Sequence, residues 1–495
     1  MHFTVARFVV EGPNPLDAVT TQKILEPFLG DHAGLEGLLA AGDALEKAIT
    51  ARGNAFLHVV IPPQPTADGV IRLQIGAYKL AKVDVAGNKH FSERSARRSL
   101  PALKPGVSPD MREISRQLAV ANEHPRRQER VAFKPSETEP DAVDATIRVT
   151  DQRPWMLFAG LDNIGTEETG LVRTSVGGQY ANVSGHDDIF TGTFTTSPDH
   201  GDSVKQFGFF YQLPVYPLQG WFSGFYVRSD VEVGNFQNAF NVTGAGEFWG
   251  LSFKRQLIGV GRYRHALTAG VQDRLFDSAT SVVGTSGPGV SSKVRSRPMT
   301  FRYDGGYTWT KTAFDFYVDY TRNLHSGAHN RLADYARSQS TPGWQVMRFG
   351  TTVTQELPRS FLGIARMNGQ YSNNPLIAGE QFGLGGENSV RGFEERTIAG
   401  DRGLQLNLEL WSPAVPRLYG VRFLAFVDGG LKYLARPTGL QVQSDVISSA
   451  GVGARWQWKD QLALAVDYGR AIAEASGEAS DRGNSKWHVN LQYRY

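Results

Sequence analysis

The sequence contains no cysteine and no continuous run of eighteen apolar residues. The second absence, with a mean hydropathy of −0.31, excludes a helical membrane protein, because one spanning helix needs about 20 consecutive apolar residues. The lack of cysteine is compatible with passage through an oxidising periplasm, where unpaired thiols are a liability.

An excess of charge of one sign is also absent. Lysine and arginine number 52 against 49 acidic residues, and residues 1–151 hold 19 of each sign. This balance gives no excess of positive charge for contacts with phosphates, so we expect no nucleic-acid partner. A charged and then apolar leader is missing as well, because Met1–Val5 already has the pattern of a strand. If the protein is exported, we expect its signal peptide to be missing from this chain.

Glycine and aromatic residues, by contrast, are plentiful. The chain has 54 Gly, 28 Phe, 17 Tyr and 9 Trp, which suits barrel strands with aromatic girdles at the membrane interfaces. In the last nine residues polar side chains occupy the even positions, and the odd positions hold Trp487, Val489, Leu491, Tyr493 and Tyr495. Because successive side chains of a strand point to opposite faces, one face is wholly apolar. A soluble sandwich would bury that face, whereas an outer-membrane barrel turns it toward lipid.

The same alternation fills residues 153–495, where helical periodicity vanishes. Apolar residues of one parity recur in Phe207–Leu213, Phe314–Tyr320, Leu404–Leu410, Val452–Trp458 and Leu462–Tyr468, and the other parity carries polar and charged residues. The pattern predicts a transmembrane antiparallel β-barrel. Bacterial single-chain barrels have even strand numbers, and sixteen strands would receive about 21 residues each. Counting alone leaves about fourteen or eighteen strands open.

Residues 1–78 and 79–152 share one plan of a strand, two helices and two strands. In residues 1–78 the predicted strands are Phe3–Glu11, Ala55–Ile61 and Val70–Ile75, and the predicted helices are about Leu16–Leu29 and Leu35–Ala51. In residues 79–152 the strands are Ala81–Ala86, Gln128–Phe133 and Ala142–Val149, and the helices lie near Ser92–Leu100 and Met111–Asn122, with Ser92 and Ser108 as expected caps. A β-α-α-β-β unit repeated after about seventy-five residues indicates an internal duplication. A single α+β domain is the alternative.

A dense glycine cluster at Gly383–Phe393 surrounds Arg391. A phosphate-binding loop needs such glycines between a strand and a helix, and no helical pattern follows here. Further along, alternation places Asp428 on the face opposite to Val427. If the apolar face meets lipid, Asp428 lies inside the barrel, where a carboxylate needs a partner. A loop around residues 380–400, folded back into the lumen, would bring Arg391 there as a bidentate partner.

These motifs resemble the signatures of an outer-membrane protein-translocating superfamily built from periplasmic POTRA domains and a C-terminal barrel. Its members have a Val-Arg-Gly-Phe/Tyr loop tip inside the barrel and a Phe-x-Asp-x-Gly strand motif that faces it. The matching residues are Val390, Arg391, Gly392 and Phe393 in the loop, and Phe426, Asp428 and Gly430 in the strand. Two POTRA domains (1–78 and 79–152) and a barrel of about sixteen strands (153–495) resemble in particular the TpsB transporters of two-partner secretion, the haemolysin secretion and activation type.

The resemblance implies a bacterial outer-membrane protein whose POTRA domains lie in the periplasm. It would recognise an unfolded exoprotein there and export it through the barrel to the cell surface without ATP. The expected partner is a large β-helical exoprotein of the TpsA type, a haemolysin, adhesin or toxin. Exposed sheet edges of the POTRA domains would bind it by strand addition. The candidate residues at these edges are Phe56, Val59, Arg130 and Phe133.

The remaining expected partners are those of any outer-membrane barrel. They are membrane lipid, periplasmic chaperones and the barrel-assembly machinery, which would read the terminal strand at Trp487, Val489, Leu491, Tyr493 and Tyr495. We expect no cofactor, no metal and no enzymatic activity, because no Ser/His/Asp grouping is identifiable. His265 and His325 are interpreted as loop or lumen residues.

Three alternatives remain at this point. An insertase that folds other barrels would share these motifs, but two POTRA units argue against it. A plain porin needs no POTRA arm, and a barrel enzyme needs a catalytic grouping. The pairing of Arg391 with Asp428 is itself open to two interpretations, a latch that holds the loop during transport or a contact that only stabilises barrel assembly.

Overall fold

The computed structural model describes residues 2–65, 68–166, 169–201, 204–230, 234–236, 240–242, 245–280, 290–336, 339–437, 441–473 and 484–495. The chain forms two units, one made of Met1–Arg153 with Tyr216–Gln219 and the other of Pro154–Val215 with Gly220–Tyr495. Among the described residues, no helix has the length and apolar character needed to cross a membrane.

The first half of the N-terminal unit is a three-stranded sheet covered by two helices. Its elements are β1 His2–Val5, β2 Arg7–Glu11, α1 Ala18–Leu25, β3 Gly30–Ala33, α2 Glu36–Ala51, β4 Leu57–Val60 and β5 Val70–Ala77. The sheet has the order β2-β5-β4, with β2 parallel to β5 and β4 antiparallel to it. Its core contains the fully buried side chains of Leu38, Leu45, Ile49, Ile71 and Leu73.

Two predictions for this half are wrong in detail. The expected strand Phe3–Glu11 is interrupted at Ala6, because the N–H groups of Ala6 and Arg7 both donate to the carbonyl oxygen of Gly69. As a result β1 leaves the main sheet and pairs with β3, a strand that the sequence pattern did not reveal. The first helix ends at Leu25 rather than Leu29, and a short 3-10 turn that contains proline follows it.

The second half of this unit repeats the same order. Its elements are β6 Lys79–Ala86, α3 Glu93–Ser99, α4 Met111–Ala121, β7 Arg127–Pro135 and β8 Ala142–Asp151, in a sheet of order β6-β8-β7. Ser92 caps α3 as predicted, by accepting a hydrogen bond from the Ser95 N–H. The cap of α4 is Asp110 rather than Ser108, because Asp110 directly precedes the first helical residue and accepts from the Arg112 and Glu113 N–H groups.

The second unit is a closed antiparallel barrel, which confirms the predicted fold class. Its strands are β9 Trp155–Asp162, β10 Arg173–Ala181, β11 Ile189–Thr196, β12 Lys205–Val215, β13 Gly220–Ser229, β14 Gly234–Phe236, β15 Phe240–Val242, β16 Gly246–Gln256, β17 Tyr263–Thr280, β18 Val290–Ser296, β19 Pro298–Thr308, β20 Thr312–Asn323, β21 Gln345–Glu356, β22 Leu362–Tyr371, β23 Phe382–Leu384, β24 Ile398–Gly400, β25 Arg402–Trp411, β26 Arg422–Tyr433, β27 Ser444–Trp458, β28 Leu462–Ala473 and β29 Ser485–Arg494, and the short helix α5 is Leu332–Tyr335.

Within the described residues, the barrel wall consists of sixteen strand positions, or staves. Strands β18 and β19 count as one stave, because both pair with β17 and only Arg297 separates them. Strands β14 with β15 and β23 with β24 form separate two-stranded hairpins. The terminal strand β29 pairs with β9, so neither end of the sheet is left without a partner.

The two faces of the barrel strands divide as the alternation predicts. Leu406, Leu408 and Leu410 are exposed on the outside of β25, whereas Gln405 and Asn407 are buried on the inside. In β29 the exposed aromatic side chains are Trp487, Tyr493 and, just beyond the strand, Tyr495, while Val489 and Leu491 on the same parity are half-buried. The outer face is therefore apolar and suited to lipid, and the inner face is polar.

The lengths of the connections distinguish the two ends of the barrel. At one end of the barrel, successive barrel strands are separated by 3 to 10 residues, and at the other end, which carries residues 372–401, they are separated by 8 to 30 residues. Transmembrane barrels have short periplasmic turns and longer extracellular loops. The end that carries residues 372–401 is therefore the extracellular end.

The turn after β6 yields a prediction. The Asp151 carboxylate accepts hydrogen bonds from the N–H groups of Lys89, His90 and Phe91, at 3.0, 2.8 and 2.9 Å for one oxygen. Partial burial acts to raise the pKa of Asp151, but these N–H groups offset it and hold the pKa below its usual 3.8. Because the folded-state pKa is depressed, this stabilisation is present above pH 3.8 and is lost as the pH falls through the lowered pKa.

We expect the D151N variant to exchange the backbone amides of residues 87–92 about tenfold faster than the wild type at pH 7, because hydrogen bonds to a charged group contribute about 1.5–3 kcal/mol. Hydrogen exchange measured by mass spectrometry on the full chain tests this. At a pH below the lowered pKa the two proteins should exchange alike, since the wild-type carboxyl is then protonated. The E139Q variant, at an exposed position, is the control. Equal exchange at pH 7 would contradict the assignment.

Candidate functional site

The connection 372–401 between β22 and β25 folds into the barrel. It contains the hairpin of β23 and β24, and its tip contains Val390 and Phe393. These two side chains are buried and pack against Ile447 of β27 and Ala471 of β28, on the inner faces of the wall. The structure therefore places the loop motif inside the lumen, where the sequence argument expected it.

Arg391 and Asp428 are in direct contact. The Arg391 Nε donates to Asp428 Oδ2 at 2.7 Å, and Nη2 donates to Oδ1 at 2.9 Å. The Arg391 backbone N–H also donates to Oδ2 at 3.2 Å. This is a bidentate guanidinium–carboxylate pair, the geometry that gives the strongest charge-assisted hydrogen bonds. Asp428 has no exposed surface and Arg391 is 3% exposed, so neither charge is screened by solvent.

Arg391 contacts more than the one carboxylate that the sequence indicated. Its Nη2 lies 2.9 Å from Glu409 of β25, and its Nη1 lies 3.5 Å from Asp467 of β28. The guanidinium also stacks over the Phe426 ring, 3.5 Å from the centroid. Phe426 of the strand motif thus acts as a platform that desolvates the arginine and adds a cation–π attraction.

Two further arginines balance the charges of this network. Arg455 of β27 donates to both oxygens of Asp467 at 2.7 Å, and Arg366 of β22 lies 3.2 Å from Glu409. With Arg391 and Asp428, the network holds three arginines and three carboxylates. Its members come from the loop tip and from the neighbouring staves β22, β25, β26, β27 and β28, so the loop is bound to a continuous part of the wall. A neutral network of this kind avoids the large cost of an unpaired buried charge.

Glycine allows the loop tip to lie directly on the barrel wall. Gly392 has φ +93°, and a Cβ added to it would lie 2.9 Å from the Gly469 backbone. A Cβ added to Gly469 would lie 2.6 Å from the Gly392 nitrogen. The Gly392 N–H donates to His488 Nε2 at 3.0 Å, which joins the tip to β29. Gly430 of the strand motif leaves room for Leu384, which would lie 2.7 Å from an added Cβ.

Sequence reasoning missed most members of this site, among them Asn407, Glu409, Arg455 and Asp467. Asn407 links the loop to the wall, since its Nδ2 contacts the Ser389 carbonyl at 2.6 Å and Asp428 Oδ1 at 2.8 Å. All four lie on the polar parity of predicted strands, so the signal was present. The sequence does not reveal which polar residues become neighbours, because that depends on strand register, for example Asn407 opposite Asp428.

The base of the loop is held on a different part of the wall. The Glu380 side chain has no exposed surface and accepts hydrogen bonds from Arg274 Nη1 and Ser296 Oγ, both at 2.7 Å. Leu376 and Ile377 pack into a buried cluster with Phe248, Phe276, Tyr335 and Trp344. The loop is therefore anchored to β17 and β18 at its base and to β25–β28 at its tip, and its path crosses the lumen.

The four residues expected at sheet edges have different environments. Strands β4 and β7 do lie at the edges of their sheets. Phe56, however, is buried in the core of the second half and makes an edge-to-face contact with Phe133 at 4.7 Å between ring centroids. Val59 is half-buried, and only Arg130 is exposed. The aromatic pair joins the two halves of the unit, so the Phe56 side chain belongs to the core, and binding of a substrate at these four edge residues stays a prediction.

Comparison with known proteins gives the family. Residues 143–456 match the family model described as haemolysin secretion/activation protein ShlB/FhaC/HecB. The chain belongs to this haemolysin secretion/activation family. Residues 3–76 match the ShlB-type POTRA domain, so the first half of the N-terminal unit is a POTRA domain. The family assignment supports the predicted resemblance to TpsB transporters and the location in the bacterial outer membrane with the POTRA domains in the periplasm.

Similar proteins include the outer membrane transporter CdiB of Escherichia coli, which is 25% identical over 442 residues that cover 86% of this chain and 72% of the relative. CdiB-2 of Burkholderia pseudomallei is 23% identical and covers 91% of this chain and 80% of its own. The heme/hemopexin transporter protein HuxB of Haemophilus influenzae is 19% identical, with 94% and 83% covered.

Solved structures show the same fold. The structure of CdiB from Escherichia coli matches with a TM-score of 0.84 at 19% identity and covers 100% of this chain and 91% of its own. BamA from Haemophilus ducreyi, in a form that lacks POTRA domains 1–3, matches with a TM-score of 0.52 at 13% identity, with 100% of each chain covered. The fold is therefore closer to that of CdiB than to that of BamA.

The network around Arg391 leads to a prediction about charge exchange. The R391D variant would place an acid among Asp428, Glu409 and Asp467. Adding D428R restores one attraction but leaves the other two repulsions, because Glu409 and Asp467 are unchanged. We therefore expect the double variant to hold the loop much less well than the wild type does.

A single cysteine at Asn388, an exposed position near the loop tip, can report loop position in this cysteine-free chain. We expect a membrane-impermeant maleimide to label N388C on cells at least about tenfold faster when the chain also carries R391D than when N388C is the only change. The same acceleration is expected when the chain carries both R391D and D428R. Heat-modifiable migration of the barrel controls for folding. Full return of slow labelling in the double variant would show that Arg391 and Asp428 form an isolated pair.

Proposed function

We propose that this protein is the outer-membrane transporter of a two-partner secretion system and exports one large exoprotein from the periplasm to the cell surface. The observation that carries the proposal is the anchored loop: a barrel of sixteen staves contains a loop whose arginine is bound to the wall by three carboxylates. Membership of the haemolysin secretion/activation family supports it. Relatives that are named transporters support it further.

The partner is a secreted exoprotein, as the family implies. We infer that it is of the TpsA type, a β-helical haemolysin, adhesin or toxin, that reaches the transporter unfolded. No nucleotide-binding motif is present in the sequence, so we assign the driving force to folding of the exoprotein outside the cell. The chain then acts by binding and conduction, without a chemical step.

Conduction of an extended chain needs a path through the lumen, and the loop occupies this lumen. The inner face of each stave is polar, which suits an extended chain that keeps its backbone hydrated. The loop crosses this space between its two anchors, so its displacement is part of the transport step. The Arg391 network is the latch in this proposal, because moving the tip means separating one guanidinium from three carboxylates in a dry environment. Stabilisation of barrel assembly is the competing role.

Recognition of an extended chain by strand addition needs backbone groups that are still unpaired. At β4 the two outward N–H groups already have acceptors. The Val59 N–H donates to Glu46 Oε2 at 2.9 Å, and the Leu57 N–H donates to the Asn54 carbonyl at 3.2 Å. The edge of the first sheet is therefore largely closed to a partner strand.

The edge at β7 is closed only at one end. The Asn122 side chain accepts from the Glu129 N–H at 2.6 Å and donates to the Glu129 carbonyl at 2.9 Å, as a neighbouring strand would. Outward backbone groups recur at every second residue of an antiparallel edge. The next ones belong to Val131 and Phe133, which have no such partner among the described residues. We therefore place the docking edge for the exoprotein at Val131–Phe133.

The overall proposal is tested by secretion. Cells with and without this chain are compared for the large exoprotein encoded beside it, and other outer-membrane proteins are quantified in parallel. We expect that exoprotein alone to disappear from the medium and cell surface when the chain is absent. A general fall in outer-membrane barrels would show an insertase instead and overturn the proposal.

The docking edge predicts different effects for two proline variants. V131P removes an outward N–H without removing a bond to β8, so the sheet remains and the partner loses one hydrogen bond. A hydrogen bond contributes about 0.5–1.5 kcal/mol, so we expect about fivefold weaker binding of the unfolded exoprotein to the purified chain. V59P removes an N–H that Glu46 already occupies, and binding should be unchanged. Circular dichroism checks that both variants fold. If V59P weakens binding more than V131P does, the assignment of the docking edge to β7 is contradicted.

A further inference from the structure

A cluster of charged side chains lies on the outer surface of the barrel at its extracellular end. It spans three neighbouring staves, β17, β18–β19 and β20. Its described members are Asp273, Asp277, Lys293, Arg295, Arg297 and Arg322. None of these residues takes part in the loop network inside the barrel.

Strand pairing shows that the cluster faces outward. Paired residues of neighbouring strands point to the same side of a sheet. Val271 is exposed and Phe276 is buried, so the odd-numbered residues of β17 between them, including Asp273, face outward. Arg295 pairs with Leu275, which shares this parity, and Arg322 pairs with Met299, which in turn pairs with Val271.

Aromatic residues fix the height of the cluster relative to the membrane. Trp249 pairs with Asp273, and Tyr320 precedes Arg322 by two residues on the same face; both aromatic side chains are exposed. Two residues of a strand correspond to about 7 Å. Girdles of exposed aromatic residues mark the membrane interface of barrels. The charges therefore lie at the level of the lipid headgroups of the outer leaflet.

The contacts within the cluster hold two guanidinium groups together. Arg295 Nε lies 3.3 Å from one oxygen of Asp273, and Arg297 Nε lies 2.8 Å from the other. The Arg297 Nη1 donates to the Ser326 carbonyl at 2.8 Å, which fixes its orientation. Asp273 is only 11% exposed at its side chain, so the two arginines cover it. The shared carboxylate thus holds both arginine side chains next to each other.

The cluster has more cations than anions. Lys293 pairs with Asp277 at 3.4 Å, and Asp273 serves two arginines, so four cations face two carboxylates. A surplus of positive charge beside lipid attracts a negatively charged group, and arginine recognises phosphate oxygens with paired N–H donors. The negatively charged groups available at this height are the phosphates of outer-leaflet lipids.

We propose that Arg295, Arg297 and Arg322, with Lys293, form a binding site for the phosphorylated headgroup of an outer-leaflet glycolipid. The acyl chains of that lipid would lie against the exposed apolar face below, at Val271 and Phe301. Binding would fix this side of the barrel rim in the outer leaflet.

The test uses the full chain in detergent and native mass spectrometry with phosphorylated lipid A, compared with the same lipid after removal of its phosphates. We expect the triple variant R295Q/R297Q/R322Q to bind phosphorylated lipid at least about tenfold more weakly, because three charge-assisted contacts are lost. The control is R402Q, at another rim arginine that stacks on Tyr371 and whose Nε already donates to the Ser372 carbonyl.

Several outcomes would overturn the proposal. If the triple variant binds the lipid as tightly as the wild type does, the arginines are not part of the site. If the dephosphorylated lipid binds as tightly as the phosphorylated lipid, the phosphate is not what the site recognises. Competition by inorganic phosphate at the same concentration as the lipid would indicate a site for free anions. If the triple variant does not migrate as a folded barrel, the single variant R322Q is measured instead; about threefold weaker binding is then expected, and wild-type binding overturns the proposal.

Discussion

Backbone hydrogen bonding inside the membrane is the constraint on which this architecture depends. A sheet edge in lipid would leave N–H and C=O groups without water or a partner, at a cost of several kcal/mol for each group. The pairing of β29 with β9, from Asn490 opposite Asp162 to Arg494 opposite Phe158, removes both edges at once. Closure also creates an interior. Side chains on the polar parity of each stave then face one another across a lumen, and a loop that enters it finds partners on several strands.

Arg391 depends on that interior. A guanidinium that is almost completely buried is tolerated only where carboxylates neutralise it and hydrogen bonds satisfy its donors. Asp428, Glu409 and Asp467 supply both, and they come from three different staves. The same contact therefore couples loop position to the relative register of β25, β26 and β28. This coupling explains why a role in transport and a role in assembly are hard to separate for such a residue, since releasing the loop also removes a link between staves.

The sequence predicts the division into an N-terminal α+β part and a barrel, the face that each strand presents, and the meeting of Arg391 with Asp428. These features reflect period-two alternation and two dense motifs, which are local signals. The break at Ala6, the pairing of β1 with β3 and the burial of Phe56 depend on contacts between distant segments, and no local pattern encodes them. The rest of the Arg391 network falls between these cases: the alternation gives the side on which Glu409, Arg455 and Asp467 lie, and only the register shows that they are neighbours.

The same physics explains how the N-terminal unit manages its exposed edges. A free edge is a liability, because any extended chain can pair with it. At β4 the edge is closed by Glu46 and Asn54, and at β7 the Asn122 carboxamide replaces a neighbouring strand beside Glu129. Because the closure of β7 stops there, the groups of Val131 and Phe133 remain for a partner. In the proposed function, a short open edge of this kind would bind an unfolded chain through few hydrogen bonds, and the resulting weak affinity would permit release toward the barrel.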